Sequence, residues 1–110
     1  LKHVEIALNA AEQAQLEWSN TPKEQRAQHL KRAADLMESR IQELIVLLCR
    51  ESGKTYANAI AEVREAVDFL RYYATQVENL PANTAIQPLG TVLCISPWNF
   101  PLAIFSGQIA

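Results

Sequence analysis

Cysteine is scarce in this sequence, and its two examples are poorly placed for either of their usual structural uses. Cys49 and Cys94 stand alone in apolar surroundings, with no metal-ligand spacing and no disulfide framework around them. They read as buried free thiols of a reducing compartment, which points to the cytoplasm. Basic clusters are also missing. The net charge is −2 and no run of Lys or Arg forms, so nothing invites nucleic acid or an anionic membrane surface. No apolar run approaches the roughly 20 residues of a membrane span. Leu1-Lys2-His3-Val4-Glu5 carries no signal-peptide pattern. There is no internal repeat and no low-complexity segment. A Gly-x-Gly-x-x-Gly fingerprint is absent as well, which argues against a dinucleotide site of the usual kind. At 49% hydrophobic and 20% charged residues, the balance is that of a soluble globular chain, long enough for one small domain.

Helical periodicity dominates the first eighty residues. Val4, Ala7, Leu8, Ala11, Ala14 and Trp18 recur at three- and four-residue steps and predict an amphipathic helix over about 2–18, with Trp18 as an anchor for a neighbouring element. Ser19-Asn20-Thr21-Pro22 is a stop followed by a start. Thr21 and Glu24 have capping-box spacing, and Pro22 falls at the first helical position. The stripe Ala27, Leu30, Ala34, Met37, Ile41, Leu44, Ile45, Leu48 then holds its phase to about Glu51. Ser39 and Gln42 make a second capping box, so this long helix is open to being two in line. Gly53 closes it as a left-handed cap. After a short turn over 54–58, a third stripe runs Ala59, Val63, Ala66, Val67, Leu70, Ala74, Val77, widened by Phe69, Tyr72 and Tyr73, so that helix is expected to pack on more than one side. Glu62 and Glu65 are three apart on it and read, on spacing alone, as a solvated helix face with acidic charge favoured near the helix start.

Near residue 80 the character changes. Leu80-Pro81-Ala82-Asn83-Thr84 is a linker rich in breakers, and Ala85-Ile86-Gln87 reads as a short edge strand. Thr91 to Ile95 is a continuous β-favouring or apolar run without alternation, which predicts a strand buried on both faces, as in a parallel sheet. Pro97 ends it, and Pro101 suits the first position of a helix carrying Leu102, Ala103, Ile104 and Phe105. A strand, loop and helix in that order place the loop at the carboxyl edge of a sheet, where open α/β sheets bind ligands. Two prolines stiffen the loop, and Pro101 keeps Phe100 out of the α region. A stiff loop can hold the Asn99 carboxamide in one direction, as an oxyanion donor requires. The residues alone equally allow Trp98 and Phe100 to be core and Asn99 to be an ordinary turn residue.

The run Pro97-Trp98-Asn99-Phe100-Pro101-Leu102, preceded by Gly90 and an apolar strand, resembles the first sequence motif of the aldehyde dehydrogenase superfamily. The longer run from Pro88 to Ala110 is most similar to the glutamate-semialdehyde (1-pyrroline-5-carboxylate) dehydrogenase part of bacterial proline utilization A proteins. Residues of the helical part, among them Trp18, Pro22, Arg26, Glu51, Gly53, Lys54, Glu62 and Tyr73, also match, so the resemblance covers nearly the whole chain. It implies an α/β fold. A helical layer over 1–80 would lead into the first strand–loop–helix, over 81–110, of a Rossmann-like NAD-binding domain, the chain being the N-terminal piece of a longer enzyme.

The resemblance also implies a chemistry. Asn99 would donate to the aldehyde oxygen as charge develops there. Ile95, Ser96, Pro97 and Trp98 would line the NAD site, Phe100 would wall the aldehyde pocket, and Glu62 would face the substrate entrance. The nucleophilic Cys and the general-base Glu of the family belong to later motifs. Cys94 lies in the strand with no basic partner and is not that nucleophile. The family holds the pyrophosphate without a Gly-x-Gly-x-x-Gly loop. FAD would belong only to a companion proline dehydrogenase domain. The expected partners are a small aldehyde and the remainder of the same polypeptide, with a homo-oligomer allowed. The chain alone is expected to be inactive. Two other readings stand beside this one: a semialdehyde dehydrogenase of the same superfamily with a different substrate, and a non-enzymatic helical interaction module. The second sits badly with a fully apolar strand, which makes a poor edge unless covered.

Overall fold

The computed structural model describes residues 2–81 and 87–110. Five helices follow one another: α1 (Lys2–Asn20), α2 (Lys23–Ser39), α3 (Ile41–Ser52), α4 (Tyr56–Glu78) and α5 (Ala103–Ile109). The organising element is α4, with α2, α3 and α5 all packed against it. Its buried residues are Ala59, Glu62, Val63, Ala66, Val67, Leu70 and Ala74. Every predicted stripe position but Val77 is among them, as i, i+3, i+4 spacing requires.

Alanine sets how closely α2 approaches. Ala27, Ala34, Ala66 and Ala74 are all fully inaccessible, and Leu30, Ala33 and Met37 pack with Ala34 around Val67 and Leu70. Charge ties the same pair at their solvent edges. Arg71 Nη2 donates to Asp35 at 3.0 Å and to Glu38 at 2.6 Å. Lys31 Nζ meets both Glu78 carboxylate oxygens at 2.7 and 2.8 Å. Lys23 Nζ donates to the Glu78 and Leu80 carbonyls at 3.1 and 2.6 Å, satisfying orphan acceptors at the end of α4. A second apolar cluster joins α3 to the start of α4: Leu48, Ala59 and Val63, with Ile41, Leu44, Ile45, Cys49 and Leu102 around them.

The long second helix is two in line, divided at Arg40 (φ −111°, ψ 21°). Several other sequence expectations are corrected here. Neither capping box forms, because each hydroxyl turns back into the helix before it. Thr21 Oγ1 donates to the Glu17 carbonyl, and Ser39 Oγ to the Leu36 carbonyl. Pro22 stands at the N-cap rather than inside the helix. Gly53 does take the left-handed cap conformation, with φ 66°. Thr55, unremarked in the sequence, caps α4 by accepting from the Asn58 N–H at 3.3 Å. The final helix begins at Ala103, two residues after Pro101. Glu62 is buried and Glu65 exposed, so the edge of the packed arc passes between two residues only 60° or so apart on the helix. None of the residues of α1 is buried. Trp18 remains half-exposed and meets His29 with ring centroids 6.1 Å apart.

The α/β expectation is not borne out at Thr91–Ile95. Among the described residues there is no strand, and the regular elements are all helices. The segment has no ladder, and Val92, Leu93 and Ile95 are exposed, Leu93 by 81%. A strand needs a second strand to take up its N–H and C=O groups. The edge strand expected at 85–87 falls largely outside the described residues, as does most of the linker over 80–84.

Candidate active-site loop

Three anchors hold the stretch from Cys94 to Ala103. One is a tight turn: the Phe100 N–H donates to the Pro97 carbonyl at 3.2 Å, with Trp98 and Asn99 as the central pair. Among the described residues no non-glycine residue takes a positive φ, so Asn99 adopts the turn without left-handed strain. Another anchor is Gln108 on α5. Its Nε2 donates to the Ile95 carbonyl at 2.9 Å, and the Cys94 thiol points at the Gln108 carbonyl at 3.5 Å. These contacts lay the segment back along α5.

The third anchor is Glu62. It is 2% exposed, and its Oε1 accepts from the backbone N–H groups of Leu102 at 2.8 Å and Ala103 at 3.2 Å. Leu102 occupies the N-cap position of α5 and has no side-chain acceptor to offer. A carboxylate from α4 therefore does what an N-cap Asp would do locally, and the end of the helix with partial positive charge favours it. The other oxygen, Oε2, lies 2.8 Å from Lys54 Nζ, with side chains 1% and 11% exposed respectively. Its angles fall outside hydrogen-bond geometry, so the contact is a close ion pair. The same ammonium stands 4.2 Å from the centroid of the Phe100 ring, within cation–π range. Lys54 reaches both groups because it lies between the Gly53 cap that ends α3 and the Thr55 cap that starts α4.

The structure thus brings Glu62 and Phe100 together through Lys54. Asn99 sits at the exposed tip of the turn, and no described residue takes its carboxamide. Trp98 is 80% exposed and is not core. Ile95 and Pro97 are exposed and Ser96 is half-buried. Among the described residues no cluster of His, Cys, Asp and Glu could hold a metal, and no helix is long and apolar enough to cross a membrane. Sequence reasoning missed Lys54 and Gln108 as contributors. The signal for Glu62 was present: it lies three residues after Ala59 and four before Ala66, in phase with the buried stripe. Nothing comparable marked Lys54, because its role depends on a loop about 45 residues further along the chain.

The model of the aldehyde dehydrogenase family matches residues 1–110, the whole of this sequence. The chain belongs to the aldehyde dehydrogenase family. Among curated proteins, it is 62% identical over 109 residues to the bifunctional protein PutA of Escherichia coli (strain K12), a match covering 99% of this chain and 8% of that protein. It is 42% identical over 115 residues to the 1-pyrroline-5-carboxylate dehydrogenase of Anoxybacillus flavithermus (strain DSM 21510 / WK1), covering 94% of this chain and 22% of that one. The crystal structure of a bifunctional proline utilization A (PutA) protein superposes with a TM-score of 0.92 at 44% identity, over 98% of this chain and 12% of the other. The chain thus spans 8% of the length of its PutA relative from Escherichia coli. The helices described above are the aldehyde dehydrogenase fold over that stretch.

Proposed function

We propose that this chain is the N-terminal part of an NAD-dependent aldehyde dehydrogenase that oxidises glutamate γ-semialdehyde to glutamate within a larger proline-catabolic polypeptide. What carries this reading is the turn from Pro97 to Phe100: a carboxamide that no described residue takes, at the tip of a segment pinned on both sides, in a chain similar along its length to PutA and 1-pyrroline-5-carboxylate dehydrogenase. In this reading residues 1–80 form the helical layer, and 81–110 form the linker and first strand–loop–helix of the cofactor domain. The exposed apolar face of Thr91–Ile95 is what neighbouring strands of the complete domain would cover.

Addition of a cysteine thiolate to an aldehyde puts negative charge on the aldehyde oxygen. A fixed amide N–H₂ from Asn99 would stabilise that charge. Phe100 would form a wall of the aldehyde pocket, with Glu62 and Lys54 behind it. The surface around Ile95, Ser96, Pro97 and Trp98 fits a dinucleotide, because the side chains of Ile95, Pro97 and Trp98 are open to it. NAD bound there would supply the hydride acceptor. The residues of this chain would orient it and limit water around the reacting carbon.

The test uses the full-length enzyme with a panel of aldehydes. Glutamate semialdehyde should give the highest kcat/KM, and Asn99→Ala should lower turnover by roughly 10²–10³ while NAD binding is retained. Preference for another semialdehyde would replace the substrate. Unchanged turnover in the variant would remove Asn99 from the chemistry.

A further inference from the structure

We propose that Glu62 is a positioning residue, which fixes the orientation of the Pro97–Pro101 turn by holding both the backbone and the aromatic ring at its C-terminal end. The inference rests on the dehydrogenase reading above and adds to it the group that aims the turn. Glu62 Oε1 binds the two N–H groups immediately after Pro101, and Oε2 pairs with the ammonium that lies over the Phe100 ring. One carboxylate therefore sets the backbone on the far side of the turn and, through Lys54, the aromatic wall beside Asn99.

The burial of the pair makes the clamp rigid. With its side chain 1% exposed, Glu62 has no water to substitute for a lost partner, so its position is tied to Lys54 and α5 together. Gln108 constrains the near side of the turn through the Ile95 carbonyl. Between these two anchors only Ser96 to Pro101 remain, a path already stiffened by two prolines. A carboxamide held this way is preorganised for an oxyanion. Displacing it by about 1 Å is enough to lower a rate on the order of 100-fold.

The experiment compares Glu62→Ala and Glu62→Gln in the full-length protein, with two readouts. In Glu62→Ala, amide exchange at Leu102 and Ala103 should accelerate at least about tenfold, the loss expected for hydrogen bonds to a charged acceptor. Its kcat should fall roughly 10- to 100-fold, with KM for the aldehyde changed less than about twofold. Glu62→Gln keeps an acceptor for the two N–H groups and should recover most of the exchange protection and part of the kcat. It also gives the same discrimination should the alanine variant fail to fold. A rise in KM with kcat retained would overturn the proposal in favour of direct substrate contact. Unchanged kcat in the folded, NAD-binding fraction would reduce Glu62 to a structural role. Unchanged exchange at Leu102 and Ala103 would refute the clamp itself. If the wild-type protein oxidises no semialdehyde, the dehydrogenase reading falls and takes the kinetic claim with it, while exchange still decides whether the clamp exists.

Discussion

Removing the Lys54 ammonium should damage this protein more than removing both charges of its pair. Lys54→Met keeps the length and apolar body of the side chain but leaves Glu62 with a charged oxygen facing the interior. Taking away one partner of a buried pair costs about 3–5 kcal/mol in comparable cases. Here the lower end applies, because Oε1 keeps two backbone donors at 2.8 and 3.2 Å and only Oε2 loses its counterion. The double variant Lys54→Met/Glu62→Gln removes both charges and retains an acceptor for α5. It should lie within about 1 kcal/mol of the wild type, since well-packed neutral replacements of buried pairs are often near neutral. Native-state hydrogen exchange in the full-length protein reads this locally, without assuming one global transition. A loss of about 3 kcal/mol corresponds to exchange over 100-fold faster at the first turns of α4 and at Leu102 and Ala103. Two results would refute the reasoning. One is a single variant with exchange within threefold of wild type. The other is a double variant as labile as the sum of the singles, which would mean the charges do not interact.

Two further outcomes follow from the packing of α4. Gly107→Ala places a Cβ 2.9–3.2 Å from three carbons of the Phe69 ring. It should destabilise the α4–α5 contact by about 1–3 kcal/mol, despite the better helix propensity of alanine. Urea unfolding checks this, and adding Phe69→Leu should restore much of the loss. On the other face, hydrogen bonding from Arg71 holds the Glu38 carboxyl below its ordinary value of 4.5. A lowered carboxylate pKa contributes stability that is complete above the unfolded-state value and fades as pH falls through the folded one. The urea midpoint of the wild type should therefore drop more between neutral pH and the region below 4.5 than that of Arg71→Met. Because Glu38 is exposed the difference should be small, and parallel pH profiles would show that the pair contributes nothing measurable.

Periodicity and composition determined the helices. Apolar residues at three- and four-residue steps leave a chain little choice of local structure in water, so the span of α1, the joint span of α2 and α3, the αL cap at Gly53 and the packed stripe of α4 were all legible in order along the sequence. The same local reasoning located the stiff turn at Pro97–Pro101 and its motif. It erred where a group had two partners to choose from. Thr21 and Ser39 bonded backward instead of capping forward, because both options are local and of similar energy.

Only the tertiary structure decided what Glu62, Lys54 and Gln108 do. Their partners lie 40, 46 and 13 residues away in the chain (Leu102, Phe100 and Ile95), and no spacing rule connects positions so far apart. The apolar run at Thr91–Ile95 shows the same limit from the other side. Its composition is that of a buried strand, but a strand exists only when another backbone takes up its hydrogen bonds. Sequence sets what a segment is suited to become, and the presence of a partner sets whether it becomes that.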